Sequence, residues 1–383
     1  RATFLGEHIN KKNQRYDIQL KGSGKTPYSR SGDGKGTLKS MIREYIISEA
    51  MNGFNISTTR SLAVLKTGEK ILRNSFEEGG ILVRVAKSHI RVGTLQFAMI
   101  SNQKENVEKL LEYSIERLHP ELINEKNKYL KFFEKVTESQ INLILDWQRV
   151  GFIHGVMNTD NMSLSGETID YGPCAFLDEY NPNKVFSSID LKGRYAFANQ
   201  PRIAMWNLAR LSETFLHLID KDQKKAVHKI EEILLKYEKK YQKKWLIMMK
   251  DKICINQNYE KDNELIKELL DLMHVFKLDY TNTFVDIQKN NFNKNKNIKN
   301  WILKLEDRKK LNKKLEKKIN INPFIIPRNH IIENLLKDVD TGNLNKINKF
   351  IYYLKNPYSD NIPEFYTKEP KIDEKVHQTF CGT

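Results

Sequence analysis

Hydrophobic and polar positions change their period along this chain, and the changes mark out its elements. In Tyr16-Asp17-Ile18-Gln19-Leu20-Lys21 apolar and polar residues alternate, which predicts a strand with Lys21 at its end. Leu38, Met41, Ile42, Tyr45 and Ile46 recur at three- and four-residue intervals, so a helix with a buried stripe follows, with Glu44 at the margin of that stripe. The run Gly80-Ile81-Leu82-Val83-Arg84-Val85-Ala86 is short and β-branched, as a core strand would be; Arg84 within it is hard to explain as packing. Phe132, Phe133, Val136, Gln140, Ile141, Leu143 and Ile144 form a helical run within 125–155, and Ile230 to Met249 and Glu264 to Phe276 are amphipathic at helical spacing. The stretch Lys289 to Asn300 is polar and is expected to be a loop or exposed linker. Strand signals and one helix thus fall in residues 1–100, helices in the rest, and no internal repeat is present. The expected class is α+β.

The joint between these halves carries chemistry. His154-Gly155-Val156-Met157-Asn158-Thr159-Asp160-Asn161 is followed by Asp170-Tyr171-Gly172. Kinases write H-R-D-x-x-x-x-N and then D-F-G, in which the first Asp takes the acceptor proton while the Asn and second Asp hold magnesium. Here His154 and Asn161 keep their spacing, but Val156 stands where the base should be and cannot take a proton. Asp160 is the nearest carboxylate that could. Upstream, Lys21 is placed like a phosphate-binding lysine, Glu44 like its helix-borne partner, and the glycines of Gly22-Ser23-Gly24 and Ser31-Gly32-Asp33-Gly34-Lys35-Gly36 let backbone amides approach phosphate. His154 is read as a support of its loop by hydrogen bonding. The pattern predicts a two-lobed, protein-kinase-like fold: a nucleotide-binding N-lobe over 1–100, and a helical C-lobe over 101–383 that carries the catalytic and metal loops and ends in a helical extension.

Longer motifs bring a family with them. Leu20-Lys21-Gly22-Ser23-Gly24-Lys25-Thr26-Pro27-Tyr28-Ser29-Arg30, Ser88-His89-Ile90-Arg91-Val92-Gly93, the two loops above with Pro173, and Gly193-Arg194-Tyr195-Ala196-Phe197 to Asn199-Gln200-Pro201-Arg202 closely resemble the selenoprotein O family over roughly residues 1–215. The resemblance implies a pseudokinase that binds ATP in a flipped orientation and transfers AMP to Ser, Thr or Tyr hydroxyls of proteins. It implies Asp160 as proton acceptor, Asn161 and Asp170 as ligands of magnesium or manganese, and Arg1, Lys21, Asp33, Gly34, Arg84, Arg91 and Asp170 as nucleotide contacts, with Glu44 pairing Lys21. The family's glycine-rich loop ends in G-D-G-R-A, of which Arg1-Ala2 would be the remainder, so the chain is expected to be N-terminally incomplete. Alternatives are a phosphotransferase acting on small molecules or proteins, which Val156 opposes, and an inactive ATP-binding scaffold.

Composition adjusts this picture little. The net charge of +16 would suit nucleic acid, but much of the excess sits in Lys- and Asn-rich C-terminal stretches such as 290–297, and no RNP-type or zinc spacing accompanies it, so no nucleic-acid partner is expected. No apolar run is long enough to span a bilayer. A cytoplasmic monomer is expected, or a mitochondrial protein if a targeting segment lies upstream of Arg1. The cysteine count of three fits a reducing compartment. Cys174 follows the metal loop, and Cys381 falls where some members of the resembling family carry selenocysteine, so the two are candidates for a redox pair. Cys254 is read as a buried apolar residue in a helical region.

Overall fold

The computed structural model of the chain describes residues 2–29, 32–100, 104–291, 296–311, 321–339 and 342–380. The alternating N-terminal segment becomes β2 (Arg15–Lys21), paired antiparallel with β1 (Ala2–Ile9). Next come the two-residue β3 (Gly36–Thr37), helix α1 (Leu38–Gly53), β4 (Arg60–Leu72) and β5 (Phe76–Ala86), all strands joining one antiparallel sheet in which β5 is bordered by β2, β3 and β4. Lys21 stands opposite Leu82, and Gln19 opposite Arg84. Because side chains alternate across a strand, that register puts Lys21, Leu82 and Arg84 on one face. This face is buried under α1, whose start Thr37 caps by accepting from Ser40 N at 3.2 Å.

Helix α1 is buried nearly all round because it is packed from two sides. The sheet lies on one, and the C-terminal helices lie on the other. Its core residues Ile42, Ile46, Ile47 and Met51 share a cluster with Ile332, Leu336, Phe350 and Leu354. Charged residues enclosed in this way, Arg43 and Glu44 among them, must find partners, and their partners build the site.

The remainder is helical: α2 (Val92–Ile100), α3 (Lys104–Leu118), α4 (Lys128–Val150), the short hairpin β6 (Phe152–Ile153) with β7 (Ala175–Phe176), α5 (Gln200–Glu213), α6 (Leu216–Ile219), the long α7 (Gln223–Lys252), α8 (Asp262–Val275), α9 (Tyr280–Lys289), α10 (Lys299–Lys310), α11 (Asn329–Lys337), α12 (Asn345–Leu354) and α13 (Glu364–Thr367). One core cluster joins α2, α3, α4, α5 and α7, and a second joins the end of α7 with α8, α9 and α10. Among the described residues no helix is long and apolar enough to cross a membrane.

Three expectations need correction. Residues 1–100 hold two helices, not one; α2, Val-Gly-Thr-Leu-Gln-Phe-Ala-Met-Ile, is apolar on nearly every side and so shows no helical stripe. The polar stretch 289–300 is not simply a linker: Lys289 closes α9, Lys299 opens α10, and Ile298 and Trp301 are buried, while 292–295 lie outside the described residues. Cys254 is not in a helix; it follows the end of α7 at φ +60° and is only half-buried.

Candidate active site

A cleft of about 320 Å³ opens between the sheet and the loops that follow α4. Lys21, Arg84, Arg91, Asp33 and Gly34 line it from the sheet side, and Val156, Asp160, Asn161 and Asp170 from the loop side. Glu44 stands behind this wall, its Oε2 2.5 Å from Lys21 Nζ. Arg1 and Cys381 lie outside the described residues, although Ala2, next to Arg1, borders the cleft.

The charged wall is one network. Arg84 donates through Nε and Nη2 to Glu44 Oε1 at 3.1 and 2.5 Å and through Nη2 to Asp170 Oδ1 at 2.9 Å, and Lys21 donates to the same Asp170 oxygen. Burial alone would push the Lys21 ammonium toward neutrality; Asp170 and Glu44 outweigh it and hold it above its usual value. Burial would likewise protonate Asp170, but Lys21, Arg84 and Arg91 keep its carboxyl well below the usual range. Glu44 is depressed for the same reason, with Arg84 and then Lys21 overcoming burial. Every member is therefore ionised at neutral pH. Only Asp170, whose side chain is 29% exposed, opens appreciably to the cleft.

The loop side is held by backbone contacts. Buried His154 donates from Nε2 to Ile169 O at 2.8 Å and accepts from Val156 N at Nδ1, which ties the loop after β6 to the residue before Asp170. Burial lowers its pKa, so the ring is neutral. His154 thus acts here as a strut. Gln200 accepts from His154 N at 3.0 Å and donates to Phe152 O at 2.9 Å, and Asn207 donates to Met157 O at 2.9 Å, so α5 fastens the loop from behind. Asn158 accepts from Asp160 N at 3.1 Å and opens the short turn that presents Asp160 and Asn161. The turn is crowded by the start of α2: a Cβ on Gly93 would lie 2.3 Å from Asp160 Oδ1, so a larger residue there would displace the carboxylate. Asp170 adopts φ +72°, a left-handed conformation uncommon for a residue with a side chain and typical of functional sites.

The glycine segment folds back on itself. Gly24 N donates to Gly34 O at 3.2 Å, and a Cβ on Gly34, itself at φ +70°, would lie 2.1 Å from Gly24 O. Asp33 lies at the exposed tip, clamped by Arg73 through two contacts of 3.0 and 3.1 Å, and hydrogen bonding from Arg73 lowers its pKa. Sequence reasoning missed Arg73, Asn207 and the bracing role of Gln200, because each acts through a fold contact that no local spacing announces. It also missed Arg43, whose Nη2 reaches Cys174 O at 2.9 Å and whose Nη1 reaches Glu333 at 2.9 Å.

Asn161 donates its amide nitrogen to Val156 O at 2.9 Å, which leaves its Oδ1 for a cation, and Asp170 adds a carboxylate. Among the described residues no group of three or more His, Cys, Asp or Glu side chains gathers around a point. One amide oxygen and one carboxylate nevertheless fit magnesium or manganese, which keep waters and substrate phosphates as their remaining ligands.

Cys174 is fully buried, and burial pushes its thiol up to about 12. It is not presented as an accessible thiol. The tail does come close: Thr379 donates from Oγ1 to Pro173 O at 2.5 Å and from its backbone to Phe186 O at 2.8 Å.

Residues 1–350 match the family model of protein adenylyltransferase SelO. The chain belongs to the SelO family. All of it aligns with the protein nucleotidyltransferase YdiU of Clostridium perfringens, 48% identical over 394 residues and covering 80% of that relative. It aligns equally with the YdiU proteins of Pelagibacter ubique, 48% identical over 401 residues and 82% of the relative, and Bacillus cereus, 45% over 397 residues and 81%. Family and relatives are protein nucleotidyltransferases, so the SelO assignment makes this chain an enzyme that moves a nucleotide onto protein and agrees with the resemblance drawn from its motifs.

Proposed function

We propose that this chain transfers AMP from ATP to Ser, Thr or Tyr hydroxyls of proteins, within a protein-kinase-like arrangement of a sheet lobe and a helical lobe. The observation that carries the reading is the meeting in one cleft of three cations, Lys21, Arg84 and Arg91, with Asp160, Asn161 and Asp170, while Val156 occupies the place of a kinase base.

In this reading the acceptor oxygen attacks the α-phosphorus, the bond from that phosphorus to the bridging oxygen breaks, and pyrophosphate leaves. Asp160 takes the hydroxyl proton, an aid worth about 10²–10⁴-fold. Lys21 and Arg84 are held charged and in place by Glu44, ready to meet phosphate oxygens in exchange for part of their contact with Asp170. Arg91 adds a third fixed cation, and the amides around Gly34 offer donors beside Asp33. Magnesium or manganese held by Asn161 and Asp170 would neutralise charge on the phosphates.

The test is incubation of the protein with a protein acceptor and ATP labelled at the α- or the γ-phosphate. Label from the α-position alone on protein is expected. Label from the γ-position alone would restore a kinase and overturn the reading.

A further inference from the structure

The segment that follows the metal loop ends in a ledge beside the cleft. Ile189 lines the cleft together with Asp160 and Asn161 and is 63% exposed, and Leu191 is 90% exposed. Two large apolar side chains left open at the mouth of a site offer apolar area to a chain bound there. The turn is nonetheless firmly built: Asp190 accepts from Arg194 N at 2.8 Å and Tyr195 N at 2.7 Å, and Asn199 donates to Gly193 O at 2.8 Å. The exposed leucine is therefore displayed by a fixed loop.

Basic and aromatic groups continue from it. Arg194 lies 4.7 Å from the Trp206 ring centre and 5.8 Å from that of Tyr195, and Arg210 lies 5.5 Å from Trp206. Arg202, Trp206 and Arg210 are spaced by four along α5, so they share one face of that helix, and Lys192 is exposed on the turn. Within this turn and α5 the carboxylates are Asp190, engaged by the turn amides, and Glu213, paired with Arg210, with Asp160 at the adjoining cleft. Positive charge predominates.

We infer that this ledge seats the acceptor segment of the protein substrate and selects one whose hydroxyl residue is flanked by acidic side chains, with an apolar residue against Leu191. The inference rests on the proposed AMP transfer. Continuity with the cleft through Ile189 places a chain bound on the ledge within reach of Asp160, and the excess of Lys and Arg supplies the complement for acidic flanks.

The full chain is titrated with dye-labelled serine peptides flanked by aspartates or by lysines, read by fluorescence anisotropy, and transfer to the same peptides is measured. Tighter binding of the aspartate-flanked peptide is expected. Arg194→Glu with Arg202→Glu should weaken it about tenfold and favour the lysine-flanked peptide, with KM for ATP unchanged. Leu191→Asp serves as a second, surface-only variant and should raise the acceptor KM. Equal binding of both peptides, or no effect of the charge reversals, overturns the ledge. A retained charge preference in anisotropy without any α-label transfer sinks the AMP-transfer reading and leaves the ledge standing.

Discussion

Two lysines of this chain are buried to a similar degree and meet opposite fates. Lys21 is 5% exposed and is bracketed by Glu44 and Asp170, which hold its ammonium above the usual value. Lys252 is 2% exposed; it donates to Arg149 O at 2.7 Å and Asn322 Oδ1 at 3.1 Å, with its Nζ 4.0 Å from the Phe284 ring centre. Burial, and then the charge of Arg149, push Lys252 well below the ordinary lysine value. Burial costs both ammonium groups solvation, and the presence of carboxylates decides which stays charged. The first arrangement keeps a buried cation charged at the wall of the cleft, while the second fastens the end of α7 to the end of α4 and gives up proton affinity.

The strongest way to break this contrast is Asp170→Ala. It removes the carboxylate shared by Lys21 and Arg84, which is also the proposed metal ligand, and transfer should fall by about 10³-fold or more. Asp160→Ala should slow transfer by about 10²–10⁴-fold while nucleotide binding persists. Calorimetric titration with ATP and metal, paired with rates, separates the two; equal loss of binding in both variants would end the division of roles.

Glu44→Gln and Lys21→Ala come next. Removing one partner of a buried ion pair costs about 3–5 kcal/mol, and a double-mutant cycle on denaturant midpoints should show coupling of about 0.5–3 kcal/mol. Strict additivity would mean that the contact contributes nothing. Arg84→Lys keeps the charge but loses the forked contact to Glu44 and Asp170, so activity should drop about tenfold; full activity would make the guanidinium geometry irrelevant.

A pH scan sharpens the comparison at lower amplitude. Because the folded Lys252 binds its proton more weakly than the unfolded chain, its region should gain stability as pH rises toward the ordinary lysine value of 10.5 and lose it as pH falls from there. The depressed Asp170 and Glu44 follow the same sign at the acid end of the scale: their contribution is present above the usual carboxylate range and is lost as pH falls from it toward their depressed values. Lys252→Met should flatten the alkaline slope, which is at most about 1.4 kcal/mol per pH unit. An unchanged slope would show that Lys252 is not the group responsible.

The smallest effect concerns Cys174. Its buried, protonated thiol should resist thiol reagents in the folded protein, and a Cys174 to Cys381 cross-link should form under oxidising conditions only when the segment is loosened by mild denaturant, as read by non-reduced peptide mapping. Rapid cross-linking in the native state would show that the segment opens on its own.

Much of this molecule was legible before its fold. Alternation placed β2 with Lys21 at its end, three- and four-residue spacing placed α1 with Glu44, and the ordered loops placed Asp160, Asn161 and Asp170, because strand and helix periods and short catalytic spacings are local properties of the chain. The tertiary structure alone decided how these residues act together. The β2–β5 register sets Lys21 and Arg84 on one face, α1 brings Glu44 beneath them, and the loop after β6 turns Asp170 toward both. Arg73, Gln200 and Asn207 entered the same way, through contacts between residues far apart in the chain. Lys21 and Lys252 are the clearest case. The sequence offered Glu44 as a partner for Lys21, but not that Lys252 would be buried among carbonyl and amide oxygens in place of a carboxylate, since that difference depends on groups brought close only when the chain has folded.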